Sequence, residues 1–430
     1  MKAIAAIPAR WWKSSPLQPI SPQIWSRQRP THGQARPHLI ESALRSAGRR
    51  PSGNWYVLAA SRDITAERPF GATVAGVELV AWRDTHGRLH IGPGACPHLG
   101  ADLSTAHIHD GALLCRWHGL RIDGRCTPRW APFPGYDDGI LVWVRLDAVG
   151  GEKPTDIPVV PDRPVDTRVH AVAMLTGICE PSDIIANRLD PWHGSWFHPY
   201  SFADLEVVRT PTPADDRYLV TVTFRVARRL GVPVEAEFTC PDPRTVVMRI
   251  VSGEGAGSIV ETHATPAGTT DDGRARTTVV EAVVADSARP GFRHVHRAIP
   301  LLRPVLRRAA LRLWHDDLAY AERRYRLRTR NARPPVDPNP VPQHVFDHRP
   351  RAADSPDEPV RDGCERGGVV GAVGAAAQGL STGGDAGSFR VVERVDVEGV
   401  DVEGVDVEGV DVEGADGRGA SGADHFATGE

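Results

Sequence analysis

The sequence predicts an α+β fold: a small all-β domain followed by an antiparallel sheet with flanking helices. Three observations carry this reading. Short strand-like runs at 72–83, 88–92, 112–115, 119–122 and 140–146 follow one another with glycine between them, the rhythm of a compact all-β unit. Longer runs at 167–174, 217–227, 233–239, 244–251, 257–265 and 275–285 come after a Pro-rich connection at 154–164. The stretch 293–330 is instead apolar at helical spacing, through Leu302, Val305, Leu306, Ala309 and Leu313. Pro300 and Pro304 mark its start or a break in it.

In chain order, residues 1–52 are rich in Pro, Arg, Ser and Gln without sustained periodicity and read as an extension, ordered at most in patches. Order is expected to begin with the strand at Asn54–Ala60. The all-β domain then spans 53–150 and the second domain 165–333, the latter with a helix at 181–193 that carries a polar cluster. Beyond it, 334–342 reads PPVDPNPVP, and Asp-Val-Glu-Gly-Val repeats with period five from Asp396. Acidity and glycine leave such a tail, 334–430, little to bury against the entropy of ordering.

A chain of 430 residues exceeds one average domain, and 41% hydrophobic residues suffice for a core. No apolar run approaches the roughly 20 residues of a membrane span. The opening MKAIAAIPARWWKSSP is a poor secretory signal, so a soluble, cytoplasmic protein is expected. From Val336 onward, 20 acidic and 7 basic residues give −13, which leaves about +10 for the rest of a chain of net charge −3. The basic residues are nearly all Arg, and this bias is not read as nucleic-acid binding. The six cysteines are few and dispersed, against a disulfide scaffold. Two sit in a metal pattern; the others are expected to be ordinary thiols.

That pattern is Cys96-Pro-His98, sixteen intervening residues, then Cys115-Arg-Trp-His118. Zinc sets usually space their second pair differently. Two thiolates on one iron and two imidazoles on the other make a [2Fe–2S] centre, whose neutral ligands raise its potential to about −150 to +300 mV. Gly100 and Gly119 follow the two pairs, where backbone is expected to pass close to sulfur.

A second constellation lies in NRLDPWHGSWFHPYSF, 187–202. Asn187, Asp190 and His193 are spaced by three and are expected to share a helical face. His198 follows past Gly194. Two imidazoles plus one carboxylate make the facial triad that holds Fe(II) with positions left open.

The first motif, with Pro97, Leu99-Gly100, Trp117 and Gly119, resembles the Rieske domain of ring-hydroxylating and related oxygenases, as does the start NWYVLAAS. Respiratory Rieske proteins add a disulfide beside the cluster; Ala101 stands where one of its cysteines would be, which favours the oxygenase type. The second constellation resembles the Asp-x-x-His-x(3–4)-His of the same family. The resemblance implies a helix-grip-like second domain, Cys96, His98, Cys115 and His118 as cluster ligands, and His193 and His198 as ligands of a mononuclear iron. It makes Asp190 the bridge for electrons between a cluster and the iron of a neighbouring subunit, and Asn187 a polar residue near that iron. For the third ligand, LWHDDLAYAERR offers Asp317, five residues before Glu322, with Asp316 as the alternative.

The family implies an O₂-dependent enzyme, a monooxygenase rather than a dioxygenase, in a head-to-tail homotrimer. The chain has no GxGxxG unit for flavin or nicotinamide, so electrons are expected from an external ferredoxin or reductase. An apolar substrate is expected, isoprenoid or carotenoid-like, and no Arg can be named as a carboxylate clamp. Arg297, Arg303, Arg307, Arg308 and Arg312 make 293–315 a basic amphipathic helix, read as packed on the sheet, with peripheral membrane contact as the other reading. The competing function is a Rieske ferredoxin-like electron carrier without oxygenase activity.

Overall fold

The computed structural model describes residues 15–21, 28–212, 215–289 and 291–332. The 334–430 tail and its repeats lie outside them. Order begins before Asn54: strand β1 is Gln18–Pro19 and helix α1 is Pro37–Ala47. Ile40, Ala43 and Ala47 face inward at helical spacing and join the core of the second domain.

The all-β domain contains β2 (Trp55–Ala60), β3 (Phe70–Val74), β4 (Val77–Arg83), β5 (Leu89–Pro93), β6 (His107–His109), β7 (Ala112–Leu114), β8 (Arg121–Ile122), β9 (Gly135–Asp137) and β10 (Leu141–Arg145). They form three small antiparallel sheets, β2-β10-β9, β3-β4-β5 and β6-β7-β8. The single run expected at 72–83 is a hairpin. Ala75 and Gly76 both take positive φ, 50° and 81°, the two-residue turn whose twist suits paired strands. A short helix, α2 (Asp147–Gly150), closes the domain.

The second domain runs β11 (His170–Gly177), α3 (Pro181–Arg188), α4 (Gly194–Phe197), β12 (Phe202–Arg209), β13 (Tyr218–Ala227), β14 (Leu230–Asp242), β15 (Thr245–Gly253), β16 (Ile259–Thr269), β17 (Ala275–Val284) and α5 (Ile299–Ala332). The sheet order is β11-β17-β16-β15-β14-β13-β12, all antiparallel, with β1 added at the start of β14. Strand β12 had no counterpart in the sequence reading. Pro304 lies inside α5 without ending it. The buried stripe of α5 is Ala310, Trp314, Leu318, Ala321 and Tyr325, later along the helix than the residues singled out from sequence. Leu302 and Val305 are exposed instead.

The two faces of the sheet have different partners. Toward the all-β domain, Val247, Ile259, Val280 and Ala282 pack on Trp55, Val57, Leu141 and Trp143. There Arg163, from the Pro-rich connection, reaches both Glu261 (2.6 and 2.8 Å) and Asp138 (2.8 Å). The opposite face receives α3 and α5: Ile184, Ile185 and Trp314 pack on Val220, Val222, Val246 and Val279.

Candidate metal centres

The Cys96 and Cys115 loops have the same backbone solution. Gly100 N–H returns to Cys96 O (2.8 Å) and Gly119 N–H to Cys115 O (2.9 Å). Both glycines are left-handed, φ +77° and +72°, where a side chain is strained. No protein atom lies within 4 Å of a Cβ built on either, so the left-handed backbone of the turn is what calls for glycine here. Each turn folds its own amides over its cysteine: His98 and Leu99 N–H over Cys96, Trp117 and His118 N–H over Cys115. Burial pushes the Cys96 thiol up, against those amides.

Cys96 and Cys115 are buried side by side, whereas His98 and His118 are exposed, their rings 4.8 Å apart. Paired inner sulfurs and paired outer nitrogens are the donor set that would hold a [2Fe–2S] cluster, Cys96 and Cys115 as thiolates and His98 and His118 as imidazoles. Leu99, Trp117 and Leu120 are exposed around the histidines. Of the other cysteines, Cys179 and Cys240 are buried free thiols; Cys126 is disulfide-bonded, a departure from the ordinary-thiol expectation.

The second constellation is not one helical face. Helix α3 ends at Arg188, and Asp190 takes φ −112°, ψ 73° before Pro191. A residue preceding proline is pushed out of the helical region. The chain then makes a single 3₁₀ turn at Pro191–His193 and runs directly into α4, which Gly194 opens rather than ends. His198 caps α4.

This path still brings the expected residues together. Asp317 Oδ1 lies 3.2 Å from His193 Nε2, 2.9 Å from His198 Nε2 and 3.0 Å from Asn187 Nδ2. The three candidate ligand atoms are mutually within 4.8 Å. Burial opposes ionisation of Asp317, but the two histidines hold its carboxyl well below the usual range. His193 Nδ1 is bonded to Asp190 O, which leaves Nε2 facing Asp317.

Asp316 points elsewhere. It accepts from Tyr200 OH (2.6 Å) and lies 3.6 Å from His198 Nδ1, behind the ring rather than at the triad. Asp190 is buried; its Oδ2 accepts from Tyr320 OH (3.2 Å), and its Oδ1 has no hydrogen-bond partner among the described residues. Burial raises its pKa. Asn187 Oδ1 is likewise buried without a partner. Sequence reasoning missed Tyr200 and Tyr320. Tyr320 lies three residues after Asp317 on one helix, a spacing that could have found it.

A cavity of about 250 Å³ opens from the triad between the sheet and α5. Val220, Val222, Phe238 and Met248 line it from the sheet, Leu306 and Leu313 from the helix. Arg188 and Glu281 are its polar members away from the metal donors and the β12 end.

Two buried thiols with two exposed imidazoles on matched turns, placed beside a domain with a His-His-Asp triad, define a Rieske-type iron–sulfur protein with a second metal centre. The first domain of the chain is a Rieske domain, the carrier of a [2Fe–2S] cluster. The family model for the Rieske [2Fe-2S] domain matches residues 54–140, and a domain of unknown function (DUF5914) matches 149–332.

Over 168 residues the chain is 29% identical to the oxygenase component of 3-ketosteroid-9-alpha-monooxygenase from Mycobacterium tuberculosis, covering 35% of this chain and 43% of that protein. Over 85 residues it is 35% identical to the vanillate O-demethylase oxygenase subunit of a Pseudomonas species, covering 20% and 23%. The chain thus spans less than half the length of these curated relatives. Dicamba monooxygenase bound to dicamba is a similar solved structure: 18% identity, 68% of this chain, 93% of that one, TM-score 0.49.

Proposed function

We propose that this chain is a Rieske non-heme iron oxygenase that inserts one oxygen atom into an apolar substrate. The observation that carries the reading is the convergence of His193, His198 and Asp317 on the wall of an apolar cavity, in a chain that also bears a Rieske domain. Two imidazoles and a carboxylate suit Fe(II) and leave coordination positions free, and a bound iron there would supply O₂ activation.

The chain's own groups do the rest. Asp190 O fixes the tautomer and ring angle of His193, the outer contact a metal-bound histidine needs. Tyr200 and Asp316 do the same behind His198. Asn187 donates to Asp317 and steadies the carboxylate. The Asp190 side chain is the electron bridge: its Oδ1 has no partner among the described residues, as a group that meets the cluster histidine of a second copy requires. Exposed His98 and His118 suit that contact in a homotrimer, and also electron uptake from an external ferredoxin or reductase.

The cavity lining supports an apolar substrate, and relatives named for monooxygenation and demethylation support insertion of a single oxygen atom. An isoprenoid or carotenoid-like substrate is the sharper form of the same reading. Among the described residues no helix is long and apolar enough to cross a membrane. The packing of α5 on the sheet supports a structural role for that basic helix.

Single-turnover oxidation tests the proposal: the reduced, iron-loaded protein is exposed to O₂ with a panel of apolar substrates. A hydroxylated or demethylated product that depends on His193 is expected. Cluster reoxidation without product from any member would favour the electron-carrier reading.

A further inference from the structure

The sequence names no arginine for holding substrate; the fold supplies one. Arg188 is the last residue of α3, and its side chain lines the cavity. Its guanidinium carbon lies 5.8 Å from the centre of the Trp314 ring. Its Nε is buried and has no hydrogen-bond partner among the described residues. An unsatisfied buried donor is costly, more so on a charged group. Arg163 shows the contrast, with its guanidinium bonded to both Glu261 and Asp138.

Glu281 lines the same cavity and does not relieve Arg188 in that way. Its hydrogen bonds come from Trp314 Nε1 (2.5 Å) and Thr262 Oγ1 (3.3 Å), both to Oε2, and it meets Arg188 through charge alone. The remaining sheet and helix walls are Val, Phe, Met, Leu and Ala side chains, apart from Arg225 on β13, which donates to the Phe202 and Arg228 carbonyls. A donor left without a protein partner in a largely apolar cavity beside the triad is the arrangement that orients a ligand by a polar group.

We propose that Arg188 is a specificity residue whose guanidinium receives a hydrogen-bond-accepting oxygen carried by an otherwise apolar substrate. This rests on the cavity being the substrate site of the oxygenase proposed above. A keto oxygen and a carboxylate share the required chemistry. With Arg188 as the anchor and the triad as the reacting end, the distance between them sets which carbon faces the metal.

The test uses the iron-loaded full chain and three probes of one skeleton: indane, 2-indanone and indane-2-carboxylate, with dissociation constants from calorimetry. At least one oxygenated probe should bind about tenfold or more tighter than indane, the scale of a hydrogen bond to a charged group. Arg188→Met should abolish that preference and leave indane binding within about twofold. Arg188→Lys, which keeps the cation, should retain part of it. A leading ketone identifies a neutral oxygen, a leading carboxylate an acid.

Equal binding of all three probes, or a preference that survives Arg188→Met, overturns the Arg188 assignment and leaves the oxygenase reading standing. Failure of the wild type to bind any probe overturns the cavity as the substrate site, and the inference with it. An unchanged cluster spectrum verifies folding of the variants. If Arg188→Met loses that spectrum, Arg188→Gln takes its place, with the preference expected to fall.

Discussion

Glu261 on β16 and Glu281 on β17 are both buried in the same sheet, on adjacent strands. They point to opposite faces, because the cross-strand partner of Glu281 is Thr262 and that of Glu261 is Ala282. On the face toward the Rieske domain, Glu261 meets Arg163 and His263 (3.2 Å). Burial works against its charge, but those partners hold the carboxyl below its usual range. On the face toward α5, burial prevails and Glu281 is pushed up despite Arg188 and Trp314.

The contrast extends beyond the two glutamates. Charges are matched where one domain docks on another; of the six buried side-chain atoms without hydrogen-bond partners among the described residues, three lie beside the metal donors and cavity, the others being on Asp183, Tyr218 and Arg324. Asn187, Arg188 and Asp190 all carry such an atom within one short stretch of chain. A network closed within the chain specifies geometry; an open one marks where something from outside completes it.

The largest expected effect comes from breaking the closed side. Arg163→Met leaves Asp138 and Glu261 buried without their shared cation and should destabilise the chain by about 3–5 kcal/mol. Denaturant titration with a cluster readout and with far-UV dichroism would measure it. A loss under about 1 kcal/mol would mean that Arg163 behaves as a surface residue and the contrast fails.

Breaking the open side should affect turnover with little change in stability. Asp190→Asn should keep both metals and slow cluster reoxidation in the presence of substrate and O₂ by about 10–100-fold, the usual penalty at an outer partner of a ligand. Unchanged stopped-flow kinetics would remove Asp190 from the electron path.

The smallest effect has the most specific sign. Glu281 is raised above 4.5, so its contribution to stability is full below that value and is lost as pH rises through its folded value. Thermal midpoints should therefore show Glu281→Gln gaining on the wild type as pH climbs from about 5 to about 8. Glu261 is lowered, so its contribution is full above 4.5 and lost as pH falls through its folded value. The deficit of Glu261→Gln should shrink only in acid. Parallel pH profiles for the two variants would erase the distinction between the faces.

What could be read from the sequence was what short covalent spacing determines. Cys96, His98, Cys115 and His118 sit on two tight turns, and His193 and His198 on one short segment. The Asp-Pro at 190–191 also announced that the helix must stop, although spacing by three suggested a continuous face. Asp317 was separable from Asp316 only through family resemblance, since both lie on one helix and only the seating of α5 turns one inward. Arg188 and Glu281 left no such mark. An arginine at a helix end reads as a solvated residue, and a lone glutamate in Val-Val-Glu-Ala-Val-Val gives no hint of which sheet face has a cavity. The hairpin turn at Ala75-Gly76 and the inward face of α1 were legible in principle, from a glycine pair position and an i, i+3, i+7 pattern.

Iron stoichiometry of the reconstituted protein, by metal analysis with the cluster spectrum recorded on the same sample, tests the central claim most directly. The wild type should hold about three irons per chain, two in the cluster and one at the His-His-carboxylate triad. His193→Ala should hold about two with an unaltered cluster spectrum. About two irons in the wild type, or no loss in the variant, would contradict a mononuclear centre at His193, His198 and Asp317.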